Sequence, residues 1–132
     1  LLTEIRTKKN PWTINSLAAI AGEIMFRDTD YINETRALIS RERKRMADAL
    51  SSIPDTPAYK PYPAHANFVL VRILKEDLTS GFLFDTALRE KMMIRDCSTF
   101  PYLSEKYIRF CVMSPEMNDK LLDCLIAAAK KR

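Results

Sequence analysis

Glycine is almost missing: Gly22 and Gly81 are the only two in 132 residues. A loop that cradles phosphate on backbone N–H groups needs several, so neither a dinucleotide-binding nor a P-loop fingerprint fits. Histidine is scarcer still. His65, in "PAHANF", stands alone and reads as a loop residue at the edge of a strand rather than a general base or ligand. The three cysteines, Cys97, Cys111 and Cys124, are odd in number and lack CxxC spacing. That excludes a disulfide framework and a zinc site, and fits reduced, mostly buried thiols. Nearby cationic groups would lower the pKa of Cys97 or Cys111, yet neither has a partner base that would make it a nucleophile. No apolar run is long enough to cross a membrane, and no signal-peptide pattern is present. A cytoplasmic protein with no membrane partner is expected, and a start on Leu1 fits a piece of a longer polypeptide.

The composition is 47% hydrophobic and 29% charged, an ordinary globular mix. Net charge is +4 and the pI about 9.0, compatible with an anionic ligand. The run "RERKR" at 41–45 has no interleaved aromatics, so it reads as a solvated helix face and not as a nucleic-acid patch.

Periodicity orders the chain as α-α-β-α-β-β-α. "NSLAAIAGEIMF" places Leu17, Ile20, Ala21 and Ile24 at helical spacing, with Asn15 or Ser16 as cap and Pro11 and Trp12 as an extended entry. A longer helix over 29–52 carries Ile32, Leu38, Ile39, Met46 and Leu50, begun by Asp28 or Thr29 and stopped by Pro54. Four of the seven prolines fall in "PDTPAYKPYP", an irregular or edge segment. It also marks the expected boundary between a helical connector, 1–53, and a small α/β domain, 54–132. "ANFVLVRIL" reads as a central strand, in which Asn67 bonds nearby backbone. "GFLFDTALREKM" is a helix capped by Thr79 or Ser80. "MMIRDC" and "YIRFCVM" are strands flanking a loop that contains Pro101. Ser114 caps the last helix, Pro115 takes its first position, and Leu121, Leu122, Leu125 and Ala128 form its buried face. Three strands and these helices predict an α/β sandwich, a small sheet covered mainly on one face.

Each of the two short strands carries one arginine. If they pair as an antiparallel hairpin centred near Tyr102, Arg95 lies opposite Arg109, with both side chains on one face. Met93 and Cys97 would share that face. Two opposed cations are unfavourable unless an anion sits between them. One reading gives each arginine a local acid, such as Asp96 or Glu105, or simply solvent. The other is an anion site, because a guanidinium fork matches carboxylate or phosphate with two parallel hydrogen bonds. Phe100 and Tyr102, in the loop, border the pocket or pack on it.

"MIRDCSTFPYLSEKYIRFCV", "NPWTINSLAAIAGE" and "HANFVLVRI" together resemble the C-terminal part of a fold-type I pyridoxal-phosphate enzyme of the histidinol-phosphate aminotransferase group. "RDCSTF" is most similar to the L-threonine-O-3-phosphate decarboxylase branch, of cobalamin biosynthesis. The resemblance implies a small α/β domain in which Arg95 and Arg109 hold the carboxylate or phosphate of a phosphorylated amino compound. It also implies that the Schiff-base lysine and the other pyridoxal-phosphate-binding residues lie in a large domain outside this chain; Lys8 and Lys9 do not sit in the family's lysine motif. No catalytic, cofactor-binding or metal residue is then expected here, and the piece alone is expected to be inactive. The full enzyme would be a homodimer. The alternatives are a histidinol-phosphate aminotransferase, or a non-enzymatic domain that binds small anions.

Overall fold

The computed structural model describes residues 2–8, 14–54 and 57–130. Pro11, Trp12 and Lys9, named above, lie outside the described residues. Two compact units divide within one long helix: Leu1–Arg36 and Ala37–Arg132.

The first unit is helical. It holds α1 (Leu2–Lys8), α2 (Ser16–Arg27) and the opening turns of α3 (Thr29–Ser51). Asn15 caps α2 by accepting the Ala18 N–H at 2.8 Å, and Asp28 accepts the Tyr31 N–H at 3.0 Å. The caps expected from sequence therefore form. Helix α2 buries none of its residues, and its apolar stripe of Leu17, Ile20 and Ile24 is exposed.

The second unit is a two-layer α/β sandwich. Its sheet has four strands in the order β1 (Tyr59–Pro61), β2 (Phe68–Ile73), β4 (Tyr107–Cys111) and β3 (Arg95–Asp96), every neighbour antiparallel. That is one strand more than expected. The proline-rich segment supplies it as β1, at the sheet edge, where the missing proline N–H costs no ladder bond. Alternation sends Val69, Val71, Ile73, Ile108 and Phe110 to one side, where they join Met46 and Leu50 of α3, Leu83 and Ala87 of α4 (Ser80–Arg89), and Leu121 and Leu125 of α5 (Pro115–Lys130) in one core. Of the expected α3 stripe, Met46 and Leu50 are buried, whereas Ile32, Leu38 and Ile39 are only half-buried.

Two polar anchors shape this unit. The Lys106 ammonium donates to the carbonyls of Lys75, Glu76 and Leu78 at 3.2, 2.6 and 2.8 Å, tying the entry of β4 to the turn before α4. Helix α4 ends with Lys91 at φ 60°. The Met92 N–H reaches the Ala87 carbonyl at 2.9 Å and the Lys91 N–H the Leu88 carbonyl at 3.0 Å, the Schellman pattern with lysine where glycine usually stands. Both glycines of the chain lie inside helices, α2 and α4.

Candidate functional site

Strand β3 is only two residues long, and it brings Arg95 directly opposite Arg109 on β4. Burial alternates along β4: Ile108 and Phe110 face the core, while Arg109 is half-buried and Cys111 exposed on the open face. The hairpin turns through Tyr102, which takes a left-handed φ of 67° and is fully exposed. Of the two loop aromatics Phe100 borders Arg95, and neither lines the cavity beside the arginines.

Both guanidinium groups rest on rings. Arg95 lies 5.0 Å from the Phe100 centroid and Arg109 4.7 Å from that of Phe68. A cation over an aromatic face is held by the ring quadrupole, typically for about 0.5–1 kcal/mol at exposed sites. Such stacking leaves the N–H groups in the guanidinium plane free to point at a ligand. Among the described residues neither arginine makes a salt bridge. Asp96, the nearest acid in sequence, lines the same cavity and feels the charge of Arg95, but its hydrogen bonds go elsewhere. Its carboxylate accepts the Ser80 hydroxyl at 2.7 Å and the Ser98 N–H at 2.8 Å. Those bonds, the Ser98 N–H above all, hold its pKa below the usual aspartate value.

An open cavity of about 520 Å³ adjoins the pair, lined by Arg95, Arg109, Phe84, Met93, Thr99 and Cys111 among others. Its lining runs from Met93 through β3 to Thr99, and along β4 from Arg109, the last residue paired with β3, to Cys111. Met93 is exposed there and Cys97 is buried. This corrects the expectation that Met93, Arg95 and Cys97 share one strand face: the strand stops at Asp96 and the chain turns inward, fixed by the Cys97 N–H on the Tyr107 carbonyl at 3.1 Å. Burial pushes the Cys97 thiol pKa up, against the pull of Arg109 and Arg95, which suits a packed thiol and not a nucleophile. The expectation of mostly buried thiols also needs correcting, because Cys111 is exposed and Cys124 half-buried.

His65 and Asn67 are exposed in the link before β2 and do not line this cavity. The Asn67 carbonyl accepts the Val112 N–H at 2.8 Å. Phe68 was not singled out by sequence reasoning. Alternation in "FVLVRI" places it on the open face, but its role as a platform needs the β2–β4 register, in which Phe68 faces Cys111 and Leu70 faces Arg109.

The family model described as aminotransferase class I and II matches residues 1–125. The chain belongs to that family. A threonine-phosphate decarboxylase of Salmonella typhimurium is 32% identical over 124 residues, which cover 94% of this chain and 32% of that protein. A histidinol-phosphate aminotransferase of Methanocella arvoryzae is 28% identical over 115 residues, covering 87% of this chain and 29% of that one. The crystal structure of the histidinol-phosphate aminotransferase from Clostridium acetobutylicum superposes with a TM-score of 0.78 at 34% identity, over 98% of this chain and 38% of that chain. The expected small-sheet α/β fold is thus the fold of these enzymes. The chain spans about a third of the length of the relatives it matches.

The fit to pyridoxal phosphate can be tested on the residues present. Among the described residues no lysine lines the cavity beside the arginines, and both glycines lie inside helices. The lining therefore offers no amine with which an imine could form there. Among the described residues no helix is long and apolar enough to cross a membrane.

Proposed function

We propose that this chain is the substrate-gripping part of a pyridoxal-phosphate-dependent decarboxylase or aminotransferase that acts on a phosphorylated amino compound, with threonine phosphate as the first candidate. One observation carries the reading: Arg95 and Arg109 are opposed in register, rest on rings and make no salt bridge among the described residues, beside one open cavity. An anion between them relieves the repulsion of the two guanidinium groups and completes their hydrogen bonding. Holding the substrate at its carboxylate or phosphate fixes the orientation of its Cα, and hence which bond faces the cofactor's electron sink. The cofactor and its lysine are supplied from outside these residues, so the chain alone is inactive. Two copies pair through the remainder of the polypeptide in a soluble cytoplasmic enzyme of cobalamin biosynthesis.

A second reading, histidinol-phosphate aminotransferase, is favoured by the 34% identity to the Clostridium enzyme. The deciding experiment is a turnover assay of the complete polypeptide with threonine phosphate and histidinol phosphate side by side. Release of CO₂ from threonine phosphate supports the first reading, and amino transfer from histidinol phosphate the second. Inertness toward both, with wild-type kinetics in Arg109→Ala on whatever substrate is found, would remove the assignment.

A further inference from the structure

One carboxylate of the α/β unit is buried outside the lining of the cavity beside the arginine pair. Glu42, on α3, is only 3% exposed. Its Oε2 accepts Arg45 Nη2 at 2.7 Å and Asn118 Nδ2 at 3.0 Å. Arg45 also reaches Asp119 at 2.6 Å, and Arg41 Nε stands 3.7 Å from Glu42 Oε1, so two acids face two arginines. Taking a carboxylate out of water is costly, and such a network is worth its desolvation only when it fixes something that apolar packing would not. What it fixes is visible in Asn118, which is fully buried. The side chain of Asn118 clasps one backbone position twice: Oδ1 accepts the Met113 N–H and Nδ2 donates to the Met113 carbonyl, both at 2.9 Å.

Met113 lies two residues beyond the end of β4. The same end of the sheet is held at β2. Arg43, next to Glu42, donates to the Ala66 carbonyl at 2.8 Å, and the Val112 N–H closes onto the Asn67 carbonyl at 2.8 Å. Phe68 opens β2, and its ring carries Arg109. Adjacent residues of α3 therefore grip both strand ends between which the Arg109–Phe68 stack is set.

We propose that Glu42 and Asn118 are positioning residues for Arg109. The buried carboxylate orients the Asn118 amide, the amide fixes the exit of β4, and the guanidinium is thereby held over the Phe68 ring. The consequence for ligand binding rests on the anion site proposed above; the geometric claim does not.

The test uses the full chain and the Nε–Hε resonance of Arg109, which the Phe68 ring current displaces without any ligand. Glu42→Ala and Asn118→Ala should move that resonance toward its unstacked position. They should also weaken binding of inorganic phosphate about fivefold or more, the size expected of coupling within one contact network. Glu42→Gln, which keeps an acceptor oxygen for Asn118 Nδ2, should retain most of the displacement. Leu125→Ala, which opens the core without touching the network, should change neither readout while the protein stays folded. If Asn118→Ala does not fold, the Glu42→Ala and Glu42→Gln pair decides. An unmoved resonance in Glu42→Ala, or an equal move in Leu125→Ala, would overturn the proposal. Failure of the wild type to bind phosphate would sink the anion site instead, with the resonance still judging the positioning role.

Discussion

Arg109 is half-buried over Phe68 and makes no salt bridge among the described residues, so removing it leaves no acid stranded. Its loss should be felt by ligand and hardly by stability. In the complete polypeptide, Arg109→Ala is expected to raise KM for an anionic substrate about 10- to 100-fold, matching the roughly 1.5–3 kcal/mol of a hydrogen bond to a charged group. Cofactor affinity, followed by absorbance, should be unchanged. Arg109→Lys should recover only part of the loss, because an ammonium offers a point charge and no planar fork. A lysine variant with full activity would show that charge alone suffices. The neighbouring thiols have a different character. Cys97 is shielded and its pKa raised, so alkylating reagents should meet Cys111 first.

Among the elements, the end of α4 holds a residue in an unfavourable conformation. Lys91 sits at φ 60°, where its Cβ crowds the following carbonyl and a glycine would not. Lys91→Gly should therefore stabilise the unit by about 1 kcal/mol, read as a higher urea midpoint. An unchanged or lower midpoint would mean that the Schellman turn is not strained. The contact between α3 and α5 predicts a response to acid. Hydrogen bonds from Arg45 and then Asn118 hold the Glu42 pKa below its ordinary 4.5, and the Ser98 N–H does the same for Asp96 relative to 3.8. Both groups bind protons less readily folded than unfolded. Their contribution is complete above the unfolded values and is lost as pH falls through the depressed folded ones. Urea midpoints should hold from neutral pH down to about 4.5 and then fall, and Glu42→Gln should flatten that fall. Superimposable profiles for the two proteins would exclude Glu42 as the source.

For the whole molecule, the proposed anion site is half a site, because the cavity beside the two arginines is open. Affinity for a simple anion should be weak, with Kd about 1 mM or higher. At that affinity about 10 mM phosphate adds about 1.4 kcal/mol to stability, a rise in Tm of roughly 3–8 °C over a chloride control of equal ionic strength. No rise beyond the control would argue against the site. Helix α2 poses the opposite case, since its spacing is regular and its cap forms, yet none of its residues is buried. Amphipathic spacing specifies a helix; it does not specify what covers the apolar side. The sequence by itself determined helices α2 to α5, their caps and the alternation along β2 and β4, because these follow from short-range periodicity and turn chemistry; it offered the symmetry about Tyr102 only as one register among others, and it did not mark α1. Only the tertiary structure decided that β3 stops at Asp96, that a proline-rich segment becomes an edge strand, that Phe68 lies under Arg109, and that Glu42 reaches Asn118 across 76 positions of chain. Those outcomes depend on which distant groups burial brings together, and burial is a property of the packed whole and not of any local pattern.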